Sequence, residues 1–376
     1  MDTASQWLWQ QPDWPNFAFD RGALGPALSR ARTAQGRVLG KAQALGLANL
    51  GAALADIWTE EASATARIEG EMLDLGAVRS SVARRLGMAT TGSRSRTVEG
   101  LIDVMEDATQ RWQEPLTLQR LCGWQAALFP AGHSGIHRIV VGAIRSGPEP
   151  MQIVSGPITR PKVHYEAPPA KRLKRELKRF LGWFEATRTA PEDGLIRAGI
   201  VHLWFETLHP FEDGNGRVGR AIVDLALAQD ARLDQRLYSV SRRLAEARDA
   251  YYAELALASR GELDITRWLR WFVDRFADAC GASEAVIDLS LAKARFWLEH
   301  AEATLNERQR KVVNRLLEAG SGGFEGGMST SKYGHLAGTS RATAYRDLEE
   351  LVRHGLLAQQ GTGRGTRYCI AMDGWR

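Results

Sequence analysis

The sequence predicts an all-α protein interrupted by one β-hairpin, with a small separate domain at its C-terminal end. Three observations carry that expectation. Residues 20–120 are rich in Ala, Leu, Arg and Glu, with apolar residues recurring every three or four positions, the period of successive amphipathic helices. Strand-like runs are confined to residues 139–168, where IVVGAI, MQIV and KVHYEA are β-prone and joined by a Gly-Pro-rich connection, which predicts a strand pair on a helical body. The chain has 376 residues, 44% hydrophobic and 25% charged, an ordinary globular composition with length for two or three domains. Disordered and collagen-like classes are excluded, and no run approaches the roughly 18 apolar residues of a membrane-spanning helix.

The elements follow in chain order. The opening MDTASQWLWQ has no basic start followed by an apolar stretch, so the chain is expected to stay in the cytoplasm. WLWQQPDWPNF, residues 7–17, holds three of the twelve tryptophans and reads as aromatic anchors fastening an N-terminal arm to the core. SATARIEGE, residues 63–71, is expected to be part of a helix with Thr65 and Glu69 four apart on one face. LIRAGIVHLWFETL, residues 195–208, is helical, with Leu195, Gly199, Val201, His202, Phe205 and Leu208 near one stripe and Pro191, Glu192 and Asp193 as start signals. That helix runs straight into His209, and AIVDLALAQD after it is helical again. HPFEDGNGRVGR, residues 209–220, is therefore a loop between two helices, with its glycines at the start of the second. Cys122, Cys280 and Cys369 are odd in number, widely spaced and without a CxxC, so neither a disulfide framework nor a zinc site is expected.

The loop between the helices concentrates the chemistry. Gly214, Gly216 and Gly219 spell GxGxxG with Asp234 downstream, but a dinucleotide site needs a strand before the glycines and a βαβ unit around them, and a helical pattern precedes these. An anion site with a base beside it fits better. Gly214, Asn215 and Gly216 can turn successive backbone N–H groups toward one point, and the following helix N-terminus adds its own free amides. Arg217 and Arg220, three apart, can clamp different phosphates of one polyphosphate. Asp213 would be repelled by phosphate unless a divalent cation lay between, which suggests Mg²⁺. His209 is the remaining proton acceptor suited to a hydroxyl at neutral pH.

HPFEDGNGRVGR matches every defined position of the HPFx[D/E]GNGRxxR signature, and the chain thereby resembles Fic-domain proteins over most of residues 55–300. The resemblance implies a Fic-type helical bundle and transfer of AMP from ATP to a hydroxyl side chain of a target protein, with Mg²⁺. By that likeness His209 is the general base, Asp213 the Mg²⁺ ligand, Gly214, Asn215 and Gly216 the phosphate nest, and Arg217 and Arg220 the β- and γ-phosphate arginines. Pro210 and Phe211 would be packing that fixes the imidazole. The hairpin becomes a flap that pairs with the target as an added strand, placed at Gln152, Ile153, Val154 and Ser155 and at Val163–Glu166. Tyr251 and Tyr252 lie where the family often has adenine contacts, and are equally readable as core aromatics. Thr65-Ala66-Arg67-Ile68-Glu69-Gly70 fits the family's inhibitory [S/T]xxxE[G/N] motif, in which Thr65, Glu69 and Gly70 are the fixed positions and Glu69 would hold Arg220 from the γ-phosphate. The implied organisation is residues 1–85 as an N-terminal helical module with the inhibitory helix near 60–72, and 86–300 as the Fic domain. The N-terminal region is similar to an uncharacterised module found on such proteins.

From Thr304 to Arg376 eleven Lys and Arg stand against seven Asp and Glu, so most of the net charge of +5 lies there. ERQRKVVNRLLEAG, SKYGHLAG and SRATAYRDLEELVRHG read as three helices and QQGTGRGTRYCI as a turn between β-prone edges, with a Gly-rich break at SGGFEGG, residues 321–327. That succession resembles a winged helix-turn-helix over residues 304–376. If it binds DNA, Ser340, Arg341, Thr343 and Tyr345 start the recognition helix and Arg364 and Arg367 are phosphate contacts of the wing. Winged helices also dock proteins or dimerise, and both readings stand at this point. Self-AMPylation and a homodimer are compatible with the whole. Other activities of the family (removal of AMP, or transfer of UMP, phosphate or phosphocholine) and an ATP-sensing transcriptional regulator are the alternatives.

Overall fold

The computed structural model describes residues 7–45, 50–92, 94–155, 162–190, 192–320, 327–373 and 375. It is mostly helical with small hairpins, and the chain divides into two compact units, Met1–Val286 and Ile287–Arg376.

In the first unit an arm over residues 7–17 leads into α1 (Arg21–Leu45), α2 (Gly51–Ile68), α3 (Leu75–Arg85), α4 (Arg96–Gln110) and α5 (Leu118–Leu128). Side-chain caps start several of them: Asp74 accepts from Ala77 N–H ahead of α3, and Thr117 from Arg120 N–H ahead of α5. Two hairpins follow, β1 (His133–Ser134) with β2 (His137–Arg138), and β3 (Gln152–Ser155) with β4 (Lys162–Glu166). The second lies where the sequence places the flap. IVVGAI, expected to be β-prone, is irregular instead. Its backbone is taken up by neighbours rather than by a strand: Ile139 N–H donates to Gly132 C=O, Val140 N–H to the Glu212 carboxylate at 2.8 Å and Gly142 N–H to Gln125 Oε1 at 2.6 Å. The segment is thereby strapped along the 209–220 loop.

The centre of this unit is a helical hairpin of α7 (Gly194–Leu208) and α8 (Asn215–Ala231), which follow α6 (Ala170–Ala186). Asp193 caps α7 through Leu195 N–H; Pro191, one of its expected start signals, lies outside the described residues. α7 is buried on nearly every side, so the expected single stripe is a correction: Ile196, Ala198 and Leu203 are as buried as Val201 or Phe205. The reason is packing on several faces at once. Phe180 of α6 meets Trp204 and Phe205, α8 lies alongside, and α11 (Thr266–Glu299) presses Leu269 and Phe272 against Gly199 while Trp268 Nε1 donates to the Gly199 carbonyl at 2.8 Å. α9 (Val240–Glu246), α10 (Arg248–Ala258) and α11 (Thr266–Glu299) complete the order, the division between units falling within α11.

A part-buried clasp fixes this hairpin to α1, and a buried one fixes α2 to the start of α9. Arg32 of α1 bridges Asp193 at the start of α7 and Asp230 near the end of α8, at 2.8 and 2.5 Å. Glu61 of α2 accepts from Ser239 Oγ at 2.8 Å, Ser241 N–H at 3.0 Å and Ser241 Oγ, beside an Arg236–Asp224 pair at 2.8 Å. Glu61, Thr65 and Glu69 are successive fourth residues, so the clasp that anchors α2 also aims its last turn at α8.

The second unit packs α12 (Glu307–Glu318), α13 (Thr330–Ala337) and α14 (Arg341–Arg353) with the hairpin β5 (Leu357–Gln360) and β6 (Arg367–Ile370), a winged helix-turn-helix arrangement. Val313, Leu316, Tyr333, Leu348, Leu351 and Tyr368 are in its core, and Met328 bridges Tyr368 as a third short edge. Most of the Gly-rich break, residues 321–326, lies outside the described residues. Among the described residues no helix is long and apolar enough to cross a membrane.

One core group makes stability depend on pH. His202 of α7 is fully buried, its Nε2 2.8 Å from the Tyr251 hydroxyl, and desolvation first, then the Arg220 charge, pushes its pKa down to about 3 from 6.5. The native state therefore binds fewer protons than the unfolded chain between those values. Stability from the neutral ring is complete above pH 6.5 and falls as pH drops through the window, by about 1.4 kcal/mol per pH unit. Urea unfolding at pH 4.5, 5.5 and 6.5 should show wild type losing stability relative to His202→Gln by that slope. A flat difference would mean the ring is charged in the native state.

Candidate active site

A cleft of about 520 Å³ opens over the α7–α8 loop, lined among others by Glu69, Ile153, Val154, His164, Glu206, His209, Gly216, Arg220, Tyr251 and Tyr252. The loop is built to expose few of its own polar groups. His209 ends α7 in the left-handed region, φ 45°, an uncommon conformation for a residue with a side chain. Arg145, nearly buried, holds that bend: its Nε donates to the His209 carbonyl at 2.8 Å and its Nη2 to the Pro168 carbonyl at 2.6 Å, while Arg145 N–H donates to the Pro210 carbonyl at 2.9 Å. Asn215 closes the other side, its amide exchanging bonds with the Phe211 N–H and C=O, both at 2.8 Å. The expected placing of Asn215 in the phosphate nest needs a correction for its side chain: that amide is buried and spent on the loop, leaving only its backbone for an anion.

The glycines have separate causes. Gly214 has φ 85° and faces the Phe129 ring, so a side chain there would be both strained and crowded. At Gly216 a Cβ would stand 2.2 Å from the Glu69 carboxylate, so the glycine makes room for that acid.

The acid ends α2. The expected helical run through residues 63–71 stops at Ile68, with Glu69 as its cap and Gly70 at φ 81° turning the chain away, since the left-handed turn suits glycine and ends the helix. Arg220, buried on α8, gives three hydrogen bonds to this turn: Nε to Thr65 Oγ1 at 2.7 Å, and Nη2 to the Thr65 carbonyl at 3.0 Å and to Glu69 Oε1 at 2.7 Å. Burial alone would lower the guanidinium's pKa, but the Glu69 charge and hydrogen bond, together with Tyr251 and Glu206, outweigh it, so Arg220 stays firmly charged. Arg217 is engaged in parallel. Its Nη1 lies 3.0 Å from Glu71, its Nη2 3.8 Å from Asp213, and it sits over the Phe129 ring at 4.9 Å. Both loop arginines thus face acids of the α2 terminus.

Asp213 is half-exposed, with one carboxylate oxygen accepting from Ser134 and the other from Gly214 N–H at 2.5 Å. A single carboxylate with open lone pairs fits a Mg²⁺ ion that keeps waters and takes phosphate oxygens as its other ligands. His209 Nδ1 is buried and makes no hydrogen bond of good geometry among the described residues, and desolvation followed by the Arg145 charge lowers the ring's pKa to about 4. The imidazole is therefore neutral at pH 7. Tyr251 is core, its hydroxyl engaged by His202, while Tyr252 is more exposed, donates to the Ile68 carbonyl at 3.2 Å and lies under Arg248. On the flap, Ile153 and Val154 are about half exposed; the Ser155 side chain lies outside the described residues.

Sequence reasoning missed Glu206, Glu71 and Arg145. Glu206, one turn before His209, points its Oε1 into the wall of the cleft with no hydrogen-bond partner among the described residues, where Gly219 leaves the room. Its spacing from His209 was the available signal. Glu71 could have been found as a second acid beside Glu69. Arg145 carries none, because its partners are backbone carbonyls brought together only by the fold.

In the C-terminal unit Ser340 caps α14 through Thr343 N–H, and Arg341 and Tyr345 are exposed on that helix. Glu349 shares the exposed face with Arg346 and Arg353, so its charge is mixed. Arg367, expected as a wing contact, is half-buried on β6 beside Gly327 and donates to the Thr366 carbonyl. The Arg364 side chain lies outside the described residues.

Glu206 offers a test of the cleft's polarity. Desolvation, then the Glu69 charge working against Arg220, leaves its pKa raised to about 7 from 4.5. A raised carboxyl costs native stability as pH climbs through that window and most above it. Glu206→Gln should therefore raise the melting temperature more at pH 8 than at pH 5. Equal shifts at the two values would show that Glu206 titrates as in water.

Comparison with known proteins places these features. Residues 115–227 match the Fic/DOC family, and residues 7–88 match a domain of unknown function, DUF4172. Over 88 residues the chain is 32% identical to a protein adenylyltransferase of Caenorhabditis elegans, and over 86 residues 28% identical to a probable protein adenylyltransferase of Aquifex aeolicus, 23% of this chain in each case. These matches span 16% and 26% of the relatives' own lengths. In fold, the structure is similar to a Fic family protein from Desulfovibrio desulfuricans, with a TM-score of 0.54 at 21% identity over 93% of this chain and 98% of that one. It is also similar to Fic-1 from C. elegans, with a TM-score of 0.51 at 21% identity over 72% and 73%.

Proposed function

We propose that this protein is an ATP- and Mg²⁺-dependent protein adenylyltransferase that carries its own brake, Glu69. The observation that carries the reading is the set of three hydrogen bonds from buried Arg220 to Thr65 and Glu69, on the rim of the cleft that holds His209. A guanidinium so placed is a phosphate ligand whose place is taken by a carboxylate of the same chain. The distant likeness to adenylyltransferases supports AMP as the transferred group.

The residues divide the work. Backbone amides at the start of α8 and the two arginines receive the polyphosphate. Asp213 would hold Mg²⁺, which when bound neutralises charge on the phosphate oxygens. A hydroxyl oxygen of the target attacks the α-phosphorus, the bond to the β-phosphate oxygen breaks, pyrophosphate leaves, and the hydroxyl proton passes to His209. The ring is neutral and able to accept it, and the negative charge of the phosphates raises its proton affinity toward the working pH. With Glu69 in place, Arg220 cannot serve the terminal phosphate. Glu71 competes in the same way for Arg217, more weakly because it is exposed and screened by salt.

If the Glu69–Arg220 pair biases the site by about 3 kcal/mol, its removal raises activity on the order of 100-fold. Glu69→Gly should label itself and lysate proteins from α-labelled ATP at about that increase, Glu69→Asp at an intermediate rate, and Glu69→Gly with Arg220→Ala near wild type. A Glu69→Gly protein no more active than wild type, with any nucleotide tried, would remove the brake from the account.

His209→Ala in the Glu69→Gly background should bind ATP normally and lose about 10²–10⁴-fold in transfer rate. Labelling within threefold of the parent would take His209 out of the mechanism.

A further inference from the structure

The tryptophan-rich arm has no part in the chemistry above, yet its contacts converge on the flap. In an antiparallel pair, hydrogen-bonded and open residue pairs alternate. Ala167 N–H donates to Met151 C=O at 2.9 Å, so the next pair, Gln152 and Glu166, turns its backbone groups outward. On the β4 side those outward carbonyls are occupied. Glu166 C=O accepts from Trp9 Nε1 at 2.8 Å, and His164 C=O accepts from Arg260 Nη2 at 2.9 Å. His164 is the extra residue of a bulge, since the register passes from Tyr165 opposite Ile153 to Val163 opposite Val154.

The donors are themselves fastened. Leu8, fully buried, donates its N–H to the Ser259 carbonyl at 2.9 Å, and Trp7 pairs with Arg260 as an isolated bridge. The Arg260 guanidinium lies over the Trp7 ring at 4.9 Å, and Trp7 meets Tyr165 edge-on at 5.2 Å. Arg172 covers Trp9 at 5.1 Å. Tyr165 in turn donates its hydroxyl to the Thr207 carbonyl at 2.5 Å, two residues before His209. A continuous chain of contacts therefore runs from the end of α10 through the arm and β4 to the base of the catalytic loop. The opposite edge of the hairpin is different: Ile153 and Val154 on β3 are 44% and 50% exposed.

We propose that Trp7, Trp9 and Arg260 are positioning residues of the flap: they close the outer edge of β4 to strand addition and hold the hairpin over the cleft, so that an extended segment of a partner protein adds to β3. The sealing of β4 stands on the contacts alone; the addition at β3 rests on the adenylyltransferase reading. An unsealed two-stranded hairpin would offer two edges and two registers, only one of which presents a partner's hydroxyl to His209.

The test is hydrogen exchange by mass spectrometry on the full chain, comparing wild type with Trp9→Phe/Arg260→Met, which deletes both donors and keeps apolar bulk. Amides of residues 152–155 and 162–166 should exchange about tenfold faster, while α7 and α8 keep wild-type protection and ATP affinity stays within about twofold. Restoring one donor, as Trp9→Phe/Arg260→Lys, should recover part of the protection. Unchanged exchange in the hairpin overturns the proposal, and so does faster exchange shared equally by α7 and α8, which would make the arm a general core anchor. In the Glu69→Gly background the donor-deleted variant should also self-label about tenfold more slowly at saturating ATP. Faster hairpin exchange with undiminished labelling would uphold the sealing of β4 and overturn addition at β3.

Discussion

A buried guanidinium must be matched, and Arg220 sets that requirement for the whole first unit. Breaking such a pair by removing one partner typically costs about 3–5 kcal/mol because the remaining charge stays out of water. The partner comes from more than 150 residues away in the chain, so α2 has to be docked on α8 to within hydrogen-bonding distance. One turn before Thr65, on the same face of α2, the Glu61 clasp holds that helix to Ser239 and Ser241 at the start of α9, beside the Arg236–Asp224 pair that reaches α8. Arg32 fixes the far end of the α7–α8 hairpin from α1. The N-terminal helices are consequently part of the cleft's own construction.

Much of the site was legible in the sequence because its chemistry is local. Twelve consecutive residues carry the histidine, the acid, the glycines and both arginines, and helical periodicity on either side shows that they form a loop between helices. The Thr65–Glu69 turn that meets Arg220 was legible for the same reason, as a spacing of four on one helix face. What escaped was the set of groups that act through tertiary placement. Arg145 supports the bend at His209 through main-chain carbonyls, which leave no pattern in side-chain types. Glu206 becomes unusual only because α8 buries it. IVVGAI has strand propensity and is not a strand, since side chains of Gln125 and Glu212 satisfy its amides in place of a neighbouring strand.

The burial of α7 illustrates a limit of periodicity as a guide. An amphipathic stripe is expected when one face of a helix meets the core, and α7 meets α6, α8 and α11 together. Its polar residues are therefore informative: His202 is a neutral hydrogen-bonding core residue, whereas Glu206 and His209, one turn apart, line the cleft. Gly216 and the Glu69 carboxylate occupy space that neither could share with a larger neighbour, so one glycine serves both the turn of the loop and the seat of the acid.

The proposed brake sits at the one place on α2 where the helix has already ended. Glu69 caps the helix, Gly70 turns the chain away, and the last carbonyl, of Ile68, is held by Arg248 at 3.0 Å and Tyr252 at 3.2 Å. Helix ends fray at far lower cost than helices unfold. Release of the acid therefore asks only for the loosening of a single terminal turn, while the Glu61 clasp keeps the rest of α2 docked. On the proposed reading, a partner that drew Arg248 or Tyr252 away from Ile68 would set the threshold for activity without touching the nucleotide, the histidine or the acid itself.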